Sequence, residues 1–126
     1  MKGAQGYVAL VLDEETKAKL LSLVILPEVY CTHVTMAYRP KPEVYAKYQP
    51  LLGKDFDFEI TGIRYDGIGQ CARVTGVPTE NEVAHITMSC DRGVKPSHSK
   101  ELMQDPKVRE VFANLKGRGT VQWKHF

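Results

Sequence analysis

A short pattern occurs twice in this sequence: His-x-Thr at residues 33–35 and again at residues 85–87. Each copy lies in a run rich in apolar and β-branched residues, a composition that favours a β-strand. Because successive side chains of a strand point to opposite faces, the histidine and threonine of one copy share a face. A fold that contains both strands therefore has to bury Val34 and Ile86 on one side and present two His–Thr pairs on the other.

The two His–Thr pairs carry groups that suit a phosphate ester. His33 and His85 can give and take protons near neutral pH. The hydroxyls of Thr35 and Thr87 can donate hydrogen bonds. If the two strands converge, these four side chains surround one substrate, so the duplicated pattern predicts a site that holds and transforms a phosphate ester.

Length and composition are typical of one domain, which we expect to span residues 1–126. Hydrophobic residues make up 43% of the chain and charged residues 25%, which are ordinary values for a soluble globular protein. The longest apolar stretch, residues 20–26, is too short to span a bilayer, and residues 1–6 lack the apolar core of a secretory signal. The three cysteines have no CxxC spacing, which argues against a disulfide framework. We therefore expect a cytoplasmic protein that has no membrane partner.

Positive charge is concentrated in the last third of the chain. From Arg92 onward there are eight Lys or Arg residues and three Asp or Glu residues, whereas the net charge of the whole chain is only +2. This basic segment follows directly after the second His-x-Thr copy. Clustered positive charge attracts anions, so it favours a nucleotide or an RNA backbone as partner, with an ordinary solvated surface as the alternative.

The hydrophobic pattern predicts a mixed α+β domain. Asp13 is expected to cap a first helix that ends at Leu26-Pro27, and Asp66-Gly67 is expected to form a hairpin turn. The order β-α-β-α-β-β-β-α-β gives two halves of similar size, each with one His-x-Thr strand, which suggests an ancient duplication with a cleft between two lobes. The predicted strands are residues 6–12, 30–38, 56–63, 68–77, 83–90 and 120–126, and further helices are predicted at 43–52, 99–102 and 106–115.

The paired motifs resemble the two-histidine (2H) phosphoesterase superfamily, whose signature is a pair of H-x-[ST]-x motifs. The segment His85–Pro96, with its Gly93–Pro96 tail, is similar to the second motif of the 2′,3′-cyclic nucleotide 3′-phosphodiesterases and of the cyclic phosphodiesterase domain of fungal tRNA ligases. The first strand, residues 7–12, resembles theirs as well, while residues 41–83 match only in the order of elements. The resemblance implies a bilobal, pseudo-symmetric α+β fold of two antiparallel sheets around a central cleft with outer helices. The chain is shorter than most members, which leaves the substrate more open than the chemistry.

The same resemblance implies an activity: hydrolysis of a 2′,3′-cyclic phosphate on a nucleotide or an RNA end, with a 2′-phosphate as product. His85 would act as the base and His33 as the acid, although pseudo-symmetry allows the reverse. Thr35 and Thr87 would donate hydrogen bonds to the phosphate. The family works without a metal or cofactor, and no obligate protein partner is expected.

Further residues have weaker assignments. By resemblance, Tyr7 would bond the phosphate or the attacking water, and Ser97 would lie on a loop whose backbone N–H groups approach the phosphate. The alternatives are an aromatic residue at a strand end for Tyr7 and a helix cap for Ser97 or Ser99. Tyr38 is a candidate for stacking on a base, and His98 is expected to be a surface residue.

Three other functions are consistent with parts of the sequence. Cys31, His33 and His85 would supply enough ligands for a catalytic zinc ion if Cys31 and His33 share a strand face. A module that binds RNA or a nucleotide without turnover would use the basic segment. Other two-histidine enzymes open 2′-5′ oligonucleotides, ADP-ribose cyclic phosphate or cyclic oligonucleotide signals.

Overall fold

The computed structural model describes residues 5–126, which contain seven strands and three α-helices. The expectation about a secretory signal concerns residues 1–6 and so falls largely outside the described range. None of the helices in the described range is long and apolar enough to cross a membrane. In chain order the elements are β1 (Gly6–Leu12), α1 (Glu14–Leu21), β2 (Glu28–Val29), β3 (His33–Tyr38), α2 (Pro42–Tyr48) with a 3-10 turn (Gln49–Leu51), β4 (Asp55–Tyr65), β5 (Gly69–Thr75), β6 (His85–Cys90), α3 (His98–Gln104) and β7 (Glu110–His125).

All seven strands belong to one antiparallel sheet in the order β2-β6-β3-β1-β7-β4-β5. Because β5 also pairs with β6, six of these strands close into a barrel, and β2 lies outside it along β6. The mixed α+β prediction is confirmed. The two separate sheets expected from the resemblance are here a single closed sheet.

Two local sequence signals form as the sequence predicted. The Oδ1 atom of Asp13 accepts a hydrogen bond of 2.8 Å from the backbone N–H of Thr16 and so caps α1. The Oδ1 atom of Asp66 accepts from the backbone N–H of Gly69 at 2.8 Å, and Gly67 has a φ of +96° that suits glycine. These contacts fix the start of α1 and the hairpin turn between β4 and β5.

The predicted helix over residues 106–115 is wrong. Residues 106–108 form a turn, and β7 then runs from Glu110 to His125. Its helical spacing of apolar residues was misleading, because Val111 and Phe112 are 62% and 82% exposed and cover no core. The pairing of this segment with β4, in which Phe112 lies opposite Gly62, overrides the local preference. A bulge at this point accommodates the one extra residue of β7.

Along the strands, apolar side chains alternate with polar ones, and the apolar side chains fill the barrel interior. In β3 and β6 the pattern is the one that the sequence predicted, with Val34, Met36, Ile86 and Met88 fully buried and the motif residues between them half-buried. The helix α3 packs against β5 and β6, where Cys71, Leu102 and Met103 form a second small core. The main core also contains Val8, Leu10, Leu20, Ile60, Ala72 and Val121.

Substituting the middle residue of the second motif tests this packing. Ile86→Ala removes a fully buried side chain between β3 and β5 and is expected to lower the free energy of unfolding by about 2–5 kcal/mol. The matched control Val111→Ala changes an exposed β-branched residue and is expected to cost less than about 0.5 kcal/mol. Urea denaturation measures both, and equal losses in the two variants would contradict the assigned core.

Candidate active site

The two His-x-Thr motifs lie on neighbouring antiparallel strands and face each other through their middle residues. Val34 of β3 is paired directly with Ile86 of β6. In an antiparallel ladder this register places His33 across from Thr87 and Thr35 across from His85. The two copies are therefore related by a local two-fold axis, and all four polar side chains emerge on one face.

This face opens into a cleft of about 520 Å³. The structure brings five of the six residues predicted for the site into its wall, and Tyr7 is the exception. Tyr38, the candidate for base stacking, also lines the cleft. The complete wall consists of Tyr30, Thr32, His33, Thr35, Tyr38, Asn81, His85, Thr87, Pro96, Ser97 and Lys100.

The imidazole of His85 is held in one tautomer. Its Nδ1 atom is 2.9 Å from the carbonyl oxygen of Val83, which can only accept, so Nδ1 carries the proton in this assignment. Burial lowers the pKa of His85 below its ordinary value of 6.5; the bond to Val83 opposes this shift, and the charge of Lys100 adds to it. At neutral pH the Nε2 atom therefore has a free lone pair.

His33 has a different hydrogen-bond partner. Its Nδ1 atom is 2.7 Å from the hydroxyl of Thr32, which can donate or accept, so this contact allows either tautomer. Burial lowers the pKa of His33 below 6.5, and the charges of Lys124 and His85 add to the shift. The register of β3 and β6 places the two imidazoles on the same face, diagonally across the Val34–Ile86 pair.

The two threonines are also supported differently. The Thr87 hydroxyl is 2.8 Å from the hydroxyl of Ser99, which is 2% exposed, and 3.4 Å from the carbonyl oxygen of Pro96. The Thr35 hydroxyl has no hydrogen-bond partner among residues 5–126, although the backbone carbonyl of Thr35 accepts from Thr79 at 3.0 Å and from Asn81 at 3.5 Å. Thr87 is thus oriented by its neighbours, whereas Thr35 is free to rotate toward a ligand.

Ser97 and Tyr7 lie at the edges of this arrangement. Ser97 is exposed in the wall of the cleft directly before α3, and its side chain makes no capping hydrogen bond. Tyr7 lies beside His33, with ring centroids 5.4 Å apart and an interplanar angle of 41°. Ser99 bonds Thr87 and does not cap α3 either, so the alternative of a side-chain cap is not found for Ser97 or Ser99.

The sequence reasoning missed several polar residues of the site. Thr32, Lys100 and Asn81 line the cleft, and Ser99 supports Thr87 from behind. The basic segment after Arg92 was a signal for Lys100, because it placed positive charge just beyond the second motif. Asn81 lies in a polar loop, and its position depends on the contact of that loop with the backbone of β3, for which the sequence carries no signal.

The geometry of Cys31 differs from the premise of the zinc hypothesis. Cys31 precedes β3 and has a φ of +56°, so strand alternation does not place it on the face of His33. Its Sγ atom is fully buried 3.5 Å from the carbonyl oxygen of Met88, and burial raises the pKa of the thiol to about 11. In the described range, no group of three or more His, Cys, Asp or Glu residues is placed to hold a metal ion.

His98 lies outside the cleft, although it is not as exposed as expected. Its side chain is 20% exposed, and its Nε2 atom is 2.7 Å from the Oδ2 atom of Asp66. This contact connects the start of α3 with the hairpin turn between β4 and β5. His98 therefore supports the loop that leads to Ser97 rather than the cleft itself.

Comparison with known proteins does not add a family. The sequence matches no protein-family model, and a search of curated proteins found no match either. The residues of the cleft are therefore the basis for assigning a function.

The lowered pKa values of the two cleft histidines predict how stability depends on pH. Below about pH 6.5 the unfolded chain binds protons that folded His33 and His85 do not bind. Their contribution to the free energy of unfolding is therefore complete above pH 6.5 and decreases as the pH falls toward the folded pKa values. Urea titrations between about pH 5 and pH 7.5 should show this decrease, and the double variant His33→Gln/His85→Gln should show a smaller one. The same slope in both proteins would contradict the assignment.

Proposed function

We propose that this protein hydrolyses 2′,3′-cyclic phosphates on nucleotides or RNA ends and leaves a 2′-phosphate. The observation that carries the proposal is the register of β3 and β6, which directs both His–Thr pairs into one cleft. The proposal includes membership of the two-histidine phosphoesterase superfamily, with one motif in each half of a bilobal domain. All three cysteines are free and buried, which fits a reducing compartment such as the cytoplasm.

The proposed reaction is an in-line attack of water on phosphorus. The Nε2 atom of His85 takes a proton from the water as its oxygen forms a bond to phosphorus. On the opposite side the bond from phosphorus to the 3′ oxygen breaks. His33 is protonated in the complex, because the bound phosphate anion stabilises the imidazolium, and it donates its proton to that oxygen. The fixed tautomer of His85 supports its role as the base, since the Nε2 lone pair is available in the neutral ring.

The other polar groups of the cleft stabilise the charge that develops on phosphorus. Thr35 and Thr87 donate hydrogen bonds to the non-bridging oxygens. To do so, Thr87 turns its proton from the carbonyl oxygen of Pro96 to the phosphate, while Ser99 donates to the Thr87 oxygen. Lys100 adds positive charge in the wall of the cleft. An acid, a base and hydrogen-bond donors are thus all supplied by side chains, and the proposed mechanism requires no metal or cofactor.

Two roles at the edges of the site belong to the same proposal. Tyr7 packs on the ring of His33 and limits the rotation of that ring. We assign Tyr7 this role in place of the direct phosphate contact expected from the resemblance. Ser97 lies where the backbone of its loop borders the cleft and is assigned to the phosphate-binding wall.

Turnover of 2′,3′-cyclic AMP in the presence of a chelator tests the proposal. His33→Ala and His85→Ala are each expected to lower kcat by at least about 100-fold, because each removes the proton donor or acceptor of the reaction. His125→Ala is the matched control, since His125 is exposed on β7 outside the cleft and its loss should leave the rate unchanged. Phosphorus NMR identifies the product, which should be 2′-AMP.

Other outcomes of that experiment point to other functions. Undiminished product in both cleft variants would overturn the assignment of His33 and His85. Loss of activity on adding the chelator would contradict the mechanism without metal. If a panel of cyclic, 2′-5′-linked and cyclic oligonucleotide substrates gives no product while RNA still binds, the protein is a binding module rather than a hydrolase.

A further inference from the structure

A row of side chains extends from the cleft across three neighbouring strands. Tyr7 of β1 is paired with Tyr38 of β3 on one side and with Lys124 of β7 on the other. Side chains of directly paired residues lie on the same face of a sheet. This face also carries Thr35, because Thr35 is paired with Ala9, two residues along β1 from Tyr7. The row therefore continues the wall that holds the candidate phosphate site.

An irregularity in β3 is what brings Tyr38 onto this face. Val8 of β1 is paired with Ala37 of β3, but the next residue of β1, Ala9, is paired with Thr35. At this point β3 therefore contains one extra residue. Without it, strand alternation would direct Tyr38 to the face opposite Thr35. Bulges often re-aim a side chain beside a functional site, and this one adds an aromatic ring to the rim of the cleft.

Beside Tyr38 lies a second exposed ring, that of Phe126. The Tyr38 and Phe126 centroids are 5.4 Å apart, and the two residues are 61% and 59% exposed. The guanidinium carbon of Arg39 lies 4.5 Å from the Phe126 centroid and 5.7 Å from that of Tyr38. We call Tyr38, Phe126 and Arg39 the aromatic shelf.

The composition of the shelf matches that of surfaces that bind single-stranded nucleic acid. Such surfaces combine aromatic rings, on which bases stack, with cations that contact the phosphates. Here the rings are Tyr38 and Phe126, and the cations are Arg39 and Lys124. Lys124 is paired with Tyr7, whose ring centroid lies 5.4 Å from that of His33, so positive charge continues from the shelf toward the cleft.

We propose that Phe126 of the aromatic shelf binds the nucleotide on the 5′ side of the one that carries the cyclic phosphate. This inference rests on the proposed function and narrows its substrate class to the 3′ end of a single-stranded RNA. The terminal base stacks at Tyr38 and the preceding base at Phe126, while Arg39 contacts the phosphate between them. A free cyclic mononucleotide fills the cleft but leaves Phe126 uncovered.

A comparison of two substrates tests the proposal. One is 2′,3′-cyclic AMP, and the other is a single-stranded RNA tetranucleotide that ends in a 2′,3′-cyclic phosphate. The wild type is expected to have at least a tenfold higher kcat/KM for the tetranucleotide. Phe126→Leu keeps an apolar side chain but removes the ring, and it should lower kcat/KM about tenfold for the tetranucleotide while leaving the value for cyclic AMP unchanged.

Phe112→Leu is the matched control, because Phe112 is an 82% exposed phenylalanine on the same strand, β7, and lies outside the cleft wall. It should change neither value. The assignment of the shelf would be overturned by equal values of kcat/KM for the two substrates in the wild type, or by an equal loss on both in Phe126→Leu. It would also be overturned if the wild type hydrolysed a cyclic dinucleotide faster than the tetranucleotide.

Failure of the proposed function gives a different result, which is that neither substrate is hydrolysed. The shelf is then tested by binding alone, with a fluorescent RNA tetranucleotide that ends in a 3′-phosphate. Fluorescence anisotropy should show weaker binding by Phe126→Leu than by the wild type and by Phe112→Leu. Equal binding by all three proteins would overturn the proposal.

Discussion

The pairing of Val34 with Ile86 is the contact on which the arrangement of the site depends. It lies in the core of a closed barrel, and both side chains are fully buried. A slip of one residue in either strand would turn its histidine and threonine into the core and its apolar residues into solvent. The free energy of burying Val34 and Ile86 therefore sets the register that directs two imidazoles and two hydroxyls toward the same space.

Burial also sets the state of the cleft histidines. Both imidazoles are shielded from water, and this lowers their pKa values and favours the neutral form at physiological pH. The two-fold relation between the motifs is broken by their neighbours: a carbonyl oxygen holds the Nδ1 atom of His85, while a hydroxyl contacts that of His33. Nearly equivalent groups are thus given different hydrogen-bonding environments, which supports the proposed assignment of one as the base and the other as the acid.

Local and periodic signals allowed much of the fold to be predicted from the sequence. The strands of both motifs, the Asp13 cap and the turn at Asp66 follow from side-chain alternation and short-range hydrogen bonds. Features that depend on distant contacts were not predictable in this way. Pairing of β5 with β6 closes the sheet, and pairing of β4 with β7 converts the expected helix at 106–115 into a strand. The ring of the shelf residue Phe126 lies beside that of Tyr38 because β1 pairs with both β3 and β7.

The kcat of the double variant His33→Ala/His85→Ala, compared with those of the two single variants on 2′,3′-cyclic AMP, tests the central claim most directly. If the two imidazoles act on opposite sides of one phosphorus atom in a single step, removing the second costs little once the first is gone. The double variant is then about as slow as the slower single variant. Losses that multiply, as for two groups acting independently, would contradict the account.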